Sequence, residues 1–166
     1  MTPPLLKKII SGGQTGADRA ALDAALESGF PCGGYCPKGR KAEDGVIAER
    51  YPLEEVDGGY AQRTLMNVQA ADASLVFFTE KLSGGTLQTV KYCHREMKPC
   101  LELDTARLDD RAAIRALVDF LRGREVRVLN VAGPRASGSP AMYGRVRSVM
   151  LGLIALQQGR VEGAGE

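Results

Sequence analysis

The chain has 166 residues, a length typical of one domain that buries a hydrophobic core. Hydrophobic residues make up 44% of the chain and charged residues 25%, which excludes a disordered or fibrous protein. The net charge of +2 excludes binding of nucleic acid through bulk charge. No apolar run has the length of a membrane span, so we expect a cytoplasmic protein without a membrane partner.

Strand-like and helix-like segments alternate along the whole chain. Short apolar runs predict strands at 5–11, 73–79, 99–103 and 126–132, with a further short strand within 30–36. Helical composition and periodicity predict helices at 17–28, 60–71, 86–97, 109–122 and 141–158. Residues 37–59 form a long polar stretch between them. This alternation predicts a single α/β domain over 1–166, with a doubly wound, mostly parallel sheet covered by helices on both faces.

Three of the predicted helices carry apolar stripes that we expect to face the core. The stripes are Ala61, Leu65 and Val68; Ile114, Leu117, Val118 and Leu121; and Val146, Val149, Met150 and Leu153. The chain's one histidine, His94, shares helical spacing with Leu87, Val90, Cys93 and Met97, so we expect it to be partly buried and not a general base.

Three glycine-rich turns carry the main functional signal. They are SGGQTGAD at 11–18, TEKLSGGT at 79–86 and AGPRASGSP at 132–140, and each joins a predicted strand to a predicted helix. Such turns lie together at the carboxyl edge of a parallel sheet, where backbone N–H groups and helix amino termini bind anions. The turns therefore predict a pocket for a phosphate or another oxyanion. The alternative is that short αβ units need tight glycine turns whatever they bind. The P-loop and dinucleotide fingerprints are absent, so the turns do not name the ligand.

Two further polar groups are candidates for ligand contacts. Lys38, Arg40 and Lys41 could form charge-assisted hydrogen bonds to a phosphate, or could belong to a solvated loop whose charges cancel. Tyr60, Arg63 and Asn67 share one helix face. That face is either solvated, as such rows usually are, or suited to a planar polar ligand with an anionic tail.

Support for catalysis and for metal binding is thin. Asp18, in the first turn of its helix, could cap that helix or contact a ligand hydroxyl. Nucleophile, base and acid are not combined in any recognisable set, so we name no catalytic residue. The four cysteines, Cys32, Cys36, Cys93 and Cys100, lack the paired spacing of a zinc site, and free thiols are favoured over metal ligands.

Five segments of the chain, taken in order, resemble the putative molybdenum carrier family. They are GGQTGADRAALDAA, CPKGRKAEDG, the helix with Tyr60, Arg63 and Asn67, SGGT, and LNVAGPR. The resemblance covers residues 12 to about 143. It implies a Rossmann-like fold of the nucleotide-ligand sensor superfamily, which includes DNA-processing protein A and lysine-decarboxylase-like phosphoribohydrolases. It further implies a homo-oligomer, dimer or tetramer, that binds molybdenum cofactor, a phosphate-bearing pterin that holds molybdenum through a dithiolene.

The same resemblance assigns roles by position. The residues that would cradle the phosphate are Gly12, Gly13, Thr15, Gly16, Gly84, Gly85 and Thr86. Those that would supply polar contacts are Lys38, Arg40, Arg63, Asn67 and Arg135. Other candidate ligand-binding residues within the motifs are Gln14, Asp18, Arg19, Ser83 and Asn130.

One departure from the relatives favours binding over cleavage. The phosphoribohydrolases of this superfamily place a catalytic glutamate shortly after the Gly-Gly-x-Gly-Thr turn, whereas here Gln88 and Thr89 follow. An amide cannot replace a carboxylate as general base. Two alternatives stay open: an enzyme that acts on a nucleotide derivative through Asp18 or Glu43, and single-stranded nucleic-acid binding. The second has little support, because aromatic residues are only 5% of the chain and Trp is absent.

Overall fold

A computed structural model describes residues 6–159, so the first residue of the predicted strand at 5–11 lies outside the described residues. The strands are β1 (Lys8–Ile10), β2 (Cys32–Gly33), β3 (Tyr35–Pro37), β4 (Lys41–Ala42), β5 (Gly45–Val46), β6 (Glu54–Val56), β7 (Ala73–Phe78), β8 (Cys100–Asp104) and β9 (Val128–Ala132). The helices are α1 (Ala17–Glu27), α2 (Tyr60–Ala70), α3 (Gly84–Arg95), α4 (Asp110–Arg122) and α5 (Met142–Gln157).

Five parallel strands form the central sheet in the order β2-β1-β9-β7-β8. Helix α5 packs against both α1 and α4, and α2 packs against α3, so the helices form two layers. The predicted α/β class with a doubly wound, Rossmann-like sheet is confirmed. Because β1, β9 and β7 are neighbours in the sheet, the turns that follow them emerge side by side at its carboxyl edge.

The main core lies between the sheet and the layer of α1, α4 and α5. The stripe on α5 is fully buried as predicted, and on α4 Leu117, Val118 and Leu121 are buried while Ile114 is half-buried. In the part of the chain that the structure describes, no helix is both long enough and apolar enough to cross a membrane.

The prediction for α2 is right for one of the three stripe residues. Val68 is fully buried, but Ala61 is exposed and Leu65 only half-buried, whereas Arg63 and Asn67 are 8% and 2% exposed. Polar side chains occupy the inner face because they find partners there, as the site geometry shows. Helix α3 begins two residues earlier than predicted and ends at Arg95, so that the exposed Met97 lies beyond it. The expectation that His94 is partly buried is wrong, because His94 lies on the exposed side of the helix.

The polar stretch at 37–59 is more ordered than its sequence suggests. It contains the β4–β5 hairpin and the strand β6, which pairs in parallel with β3. Leu22, Cys36, Ile47, Tyr51 and Leu53 form a second, smaller core under this segment. The guanidinium of Arg40 donates hydrogen bonds to four backbone carbonyl oxygens in residues 47–53, which fixes the path of the loop.

Candidate functional site

The three glycine-rich turns meet around one pocket of 320 Å³ at the carboxyl edge of the sheet. The sequence-predicted residues that line it are Gly12, Gln14, Asp18, Arg63, Asn67, Ser83, Gly84, Gly85, Thr86, Asn130 and Arg135. Thr64, Thr79, Lys81 and Ser139 line it too and were not predicted. Lys81 could have been found, because it lies within the TEKLSGGT turn that was already singled out.

The turn between β7 and α3 presents free backbone donors. The amides of Gly84, Gly85 and Thr86, in the first turn of α3, have no hydrogen-bond acceptor among residues 6–159. The side chain of Ser83 does not cap the helix, and the first amide with a partner in this turn is that of Leu87, which donates to the Ser83 carbonyl. Unpaired N–H groups at the positive end of a helix attract an anion.

The turn between β1 and α1 uses several of its backbone donors within the protein. The amide of Gln14 donates to Asp18 Oδ2 at 3.3 Å, and the amide of Thr15 donates to Gln14 Oε1 at 3.0 Å. The amide of Ala17 donates to the Pro134 carbonyl at 3.1 Å. These donors stabilise the turn itself and its contact with the β9–α5 turn.

Glycine is required in the β1–α1 turn for steric reasons. Gly13 and Gly16 both have φ of +80°, and a Cβ at Gly16 would lie 2.4 Å from the Pro134 carbonyl oxygen. A Cβ at Gly12 would lie 2.1 Å from Nη1 of Arg63, so the guanidinium crosses the turn where only glycine leaves room.

The turn between β9 and α5 is held by the tip of the β4–β5 hairpin. The Glu43 carboxylate accepts hydrogen bonds from the Ser137 hydroxyl at 2.5 Å and the Ser137 amide at 3.1 Å, and also from the Thr15 hydroxyl. The Thr15 hydroxyl oxygen in turn accepts the Ala136 amide at 3.1 Å. These hydrogen bonds, those from Ser137 first, lower the pKa of Glu43 below its ordinary value.

Arg63 and Asp18 form a buried ion pair at the pocket wall. Arg63 Nη1 lies 3.4 Å from Asp18 Oδ2, and both side chains are about nine-tenths buried. Burial raises the pKa of the Asp18 carboxyl, and the positive charge of Arg63 partly opposes that shift. The guanidinium carbons of Arg63 and Arg135 each lie 5.5 Å from the centre of the Tyr60 ring, so the exposed Tyr60 contacts both cations.

The charged lining is three cations, Arg63, Lys81 and Arg135, against one carboxylate, Asp18. Three positive charges and the open amino terminus of α3 favour an anionic ligand. The two asparagines of the lining serve the protein instead. Asn67 makes two hydrogen bonds of 2.9 Å with the backbone of Tyr35, and Asn130 donates to the Ser74 hydroxyl.

Six predicted site residues lie outside the pocket lining: Gly13, Thr15, Gly16, Arg19, Lys38 and Arg40. Arg19 pairs with Asp44 at 2.5 Å and donates to the Gly13 carbonyl. Lys38 is exposed and 3.7 Å from Asp57, and Arg40 holds its own loop. Of the residues discussed for catalysis, Gln88 also lies outside the lining, and Thr89 donates to the Gly85 carbonyl.

The four cysteines are free thiols. A hydrogen bond from Cys100 lowers the pKa of Cys93 to about 7, and Cys36 is buried in the smaller core. Within residues 6–159 no three His, Cys, Asp or Glu side chains are grouped closely enough to hold a metal ion.

Comparison with known proteins identifies the family. The model of the circularly permutated YpsA SLOG family matches residues 9–154. The chain belongs to this family. The structure of the chain is also similar to the crystal structure of a putative molybdenum carrier protein from Syntrophus aciditrophicus, with a TM-score of 0.88. The two sequences are 39% identical, and the match covers 93% of this chain and 96% of that one. The resemblance seen in the sequence motifs is thereby confirmed. No curated protein matches the chain.

Proposed function

We propose that this SLOG-family protein binds a small phosphate-bearing ligand and holds it without turnover, with the phosphate at the amino terminus of α3. The observation that carries the proposal is the set of three amides, those of Gly84, Gly85 and Thr86, that are unpaired among the described residues. They lie at the wall of a pocket that also contains Lys81, Arg63 and Arg135. Backbone donors and cations together are the usual means of binding phosphate.

Molybdenum cofactor is the ligand that we propose first. The support is the similar protein of Syntrophus aciditrophicus, which is described as a putative molybdenum carrier, and the order of motifs shared with that family. The cofactor ends in a phosphate and carries a polar planar ring, and the pocket offers an anion site together with polar walls. Direct ligand contacts are not part of the proposal for Arg19, Lys38 and Arg40, whose side chains bind other parts of the protein.

Binding without cleavage is supported by the residues that follow the α3 turn. Gln88 and Thr89 occupy the positions after Gly-Gly-Thr where the resembling hydrolases have a glutamate, so the carboxylate for that chemistry is missing there. We further expect a dimer or tetramer in the cytoplasm. Light scattering of the purified protein measures the mass of the assembly and tests the oligomeric state.

A charge-reversal variant at the α3 turn tests the phosphate site. A Cβ at Gly85 would meet no atom within 4 Å, so Gly85→Asp has space, and an acidic residue in the first turn of a helix does not weaken the helix. We expect at least a tenfold loss of bound ligand, because about 1–2 kcal/mol of attraction is replaced by repulsion. Gly85→Asn is the matched neutral control and should keep most of the binding.

The measurement uses protein purified from a host that makes molybdenum cofactor. Molybdenum per protein is measured by mass spectrometry, and phosphorylated pterin by fluorescence after oxidation. Equal amounts on wild type and Gly85→Asp would contradict the phosphate site. If wild type carries neither molybdenum nor pterin and also fails to bind added cofactor or nucleotides, the proposed function is wrong.

A further inference from the structure

The orientation of the Gln14 side-chain amide is determined by its neighbours. Its Oε1 atom accepts hydrogen bonds from two backbone amides, that of Thr15 at 3.0 Å and that of Glu43 at 2.9 Å. The oxygen and nitrogen of a glutamine amide are often hard to tell apart, but only an oxygen can accept two N–H donors. The other end of the amide is therefore the Nε2 donor.

This donor has no hydrogen-bond partner within residues 6–159. Gln14 is only 6% exposed and lines the pocket, yet its Nε2 finds no acceptor among the described residues. Nε of Arg63, another nearly buried side chain of the same lining, also lacks one. A buried donor without an acceptor is unfavourable and uncommon in a native protein. Four such donors occur among residues 6–159, and two of them, Gln14 Nε2 and Arg63 Nε, belong to side chains of one pocket lining, where a ligand can supply acceptors.

The two residues that carry these donors both contact Asp18. Asp18 Oδ2 lies 3.3 Å from the backbone nitrogen of Gln14 and 3.4 Å from Arg63 Nη1, and all three residues line the pocket. The positive charge of Arg63 already faces the Asp18 carboxylate, and the backbone amide of Glu43 donates to Gln14 Oε1. A second anionic group of the ligand would be repelled by the Asp18 carboxylate, so a neutral acceptor such as a ring carbonyl fits best.

We propose that the pocket selects ligands whose ring carries a carbonyl oxygen, and that Gln14 Nε2, assisted by Arg63 Nε, reads that oxygen. The ligand class is a phosphate-bearing oxo-heterocycle, such as a 6-oxopurine nucleotide or an oxopteridine, in preference to the corresponding amino-heterocycle. This inference rests on the proposed function, since it concerns the ring of a phosphate-bearing ligand held in the same pocket. A ring amino group at the same place would direct its N–H donors at the N–H donor of Gln14 Nε2, and no hydrogen bond would form.

Inosine and adenosine monophosphate are suitable probes, because they share ribose and phosphate and present a carbonyl or an amino group at ring position 6. By titration calorimetry we expect wild type to bind inosine monophosphate at least about tenfold more tightly. Purine riboside monophosphate, with hydrogen at position 6, should bind more weakly than inosine monophosphate, and this comparison needs no variant.

Gln14→Glu isolates the donor, because it keeps an oxygen for Thr15 and Glu43 and replaces only Nε2. Its added charge weakens both nucleotides alike, so the affinity ratio is the readout, and we expect the preference for the carbonyl to fall to about one or to reverse. The matched control is Gln62→Glu on the exposed side of α2, which adds the same charge away from the pocket and should keep the wild-type ratio.

The outcomes separate this inference from the proposed function. Equal affinities of wild type for the three nucleotides, or an unchanged ratio in Gln14→Glu, overturn the inference while the phosphate site stands. A carbonyl preference that survives alongside binding unaffected by Gly85→Asp supports the inference and overturns the phosphate site at α3. Failure of wild type to bind any of the three nucleotides overturns the inference, and the proposed function is then decided by the cofactor content of the purified protein.

Discussion

Two turns of this molecule have almost the same sequence but differ in what packs against them. Ser11 to Thr15 reads SGGQT before α1, and Ser83 to Thr86 reads SGGT before α3. In the first turn the serine is fully buried, its hydroxyl donates to the Val131 carbonyl, and the Gln14 and Thr15 amides have partners within the protein. In the second turn the serine is exposed and the amides of Gly84, Gly85 and Thr86 are unpaired among the described residues.

The difference comes from what packs against each turn. Leu53, Arg63 and the backbone of Pro134 lie against the glycines of the β1–α1 turn, so that turn is part of the scaffold. A Cβ at Gly84 or Gly85 would meet no atom within 4 Å, so the β7–α3 turn is open to a ligand. A glycine-rich turn at the edge of a parallel sheet is therefore a binding site only where the rest of the chain leaves its amides free.

Adding one methyl group to a glycine of each turn should show the largest contrast. Gly16→Ala places a Cβ 2.4 Å from the Pro134 carbonyl oxygen at a φ of +80°, and we expect it to lower the free energy of unfolding by about 3 kcal/mol or more. Gly85→Ala should change it by less than about 1 kcal/mol, because alanine favours the helix and has space there. Urea unfolding followed by circular dichroism measures both; similar losses would show that the two turns are equally packed.

Substitution of Arg40 tests whether this residue stabilises the loop beside the β1–α1 turn or contacts the ligand. Its guanidinium donates to the carbonyls of Ile47, Ala48, Tyr51 and Leu53, and Leu53 packs on Gly13. We expect Arg40→Met to lower the free energy of unfolding by about 2 kcal/mol, and Lys38→Met, which changes an exposed cation, by less than about 0.5 kcal/mol.

Ligand affinity of the folded Arg40→Met protein should stay near that of wild type. A large loss of affinity at unchanged stability would instead make Arg40 a ligand contact, as the family resemblance implied. Titration of both variants with the same phosphate-bearing ligand, at a temperature where each is folded, distinguishes the two roles.

The threonines that end the two turns offer a smaller, reciprocal test. The Thr15 hydroxyl is bound to Glu43 and the Ala136 amide, so Thr15→Val should cost about 1 kcal/mol of stability and little affinity. The Thr86 hydroxyl has no partner within residues 6–159 and lines the pocket, so Thr86→Val should weaken ligand binding about five- to tenfold at nearly unchanged stability. If both variants lost ligand affinity to the same extent, the β1–α1 turn would contact the ligand as the β7–α3 turn does, and the distinction between the two turns would be wrong.

Much of the fold could be predicted because its signals are local. The strand β7 is an unbroken apolar run and α4 has a regular stripe ended by Gly123, so neighbours in sequence suffice to define them. Meeting of the three turns also followed from the sequence, since parallel strands bring their carboxyl ends to one edge. The irregular loop at 37–59 could not be predicted, because the four carbonyls bound by Arg40 show no periodicity.

The use of each candidate site residue depended on distant partners. Tyr60, Arg63 and Asn67 share a face that looked solvated, but Arg63 is buried because Asp18 lies opposite, and Asn67 because the Tyr35 backbone binds its amide. The amide of Ala17 is likewise occupied by the Pro134 carbonyl, and that of Ser137 by Glu43. Sequence spacing identifies which residues share a face, whereas tertiary contacts decide which of them have donors left for a ligand.

Acid should weaken the contacts that hold the β1–α1 and β9–α5 turns, and Glu43 is the group to examine. Hydrogen bonds from Ser137 and Thr15 hold its pKa below the ordinary 4.5, so the folded protein binds fewer protons there than the unfolded chain. This contribution to stability is present above about pH 4.5 and is lost as the pH falls through the folded value. Glu43→Gln should therefore have a lower free energy of unfolding than wild type at pH 6, and this difference between the two proteins should be smaller at pH 3.

The informative quantity is the change in this stability difference between pH 6 and pH 3. Other carboxylates with lowered pKa values, such as Asp104 and Asp110, are present in both proteins, so their contributions largely cancel when wild type and variant are compared. Urea midpoints at the two pH values measure this change, and a stability difference independent of pH would show that the charge of Glu43 does not hold the hairpin. Because the amides of Gly84, Gly85 and Thr86 have no carboxylate partner in the described chain, Glu43→Gln should leave ligand affinity at neutral pH unchanged within about twofold.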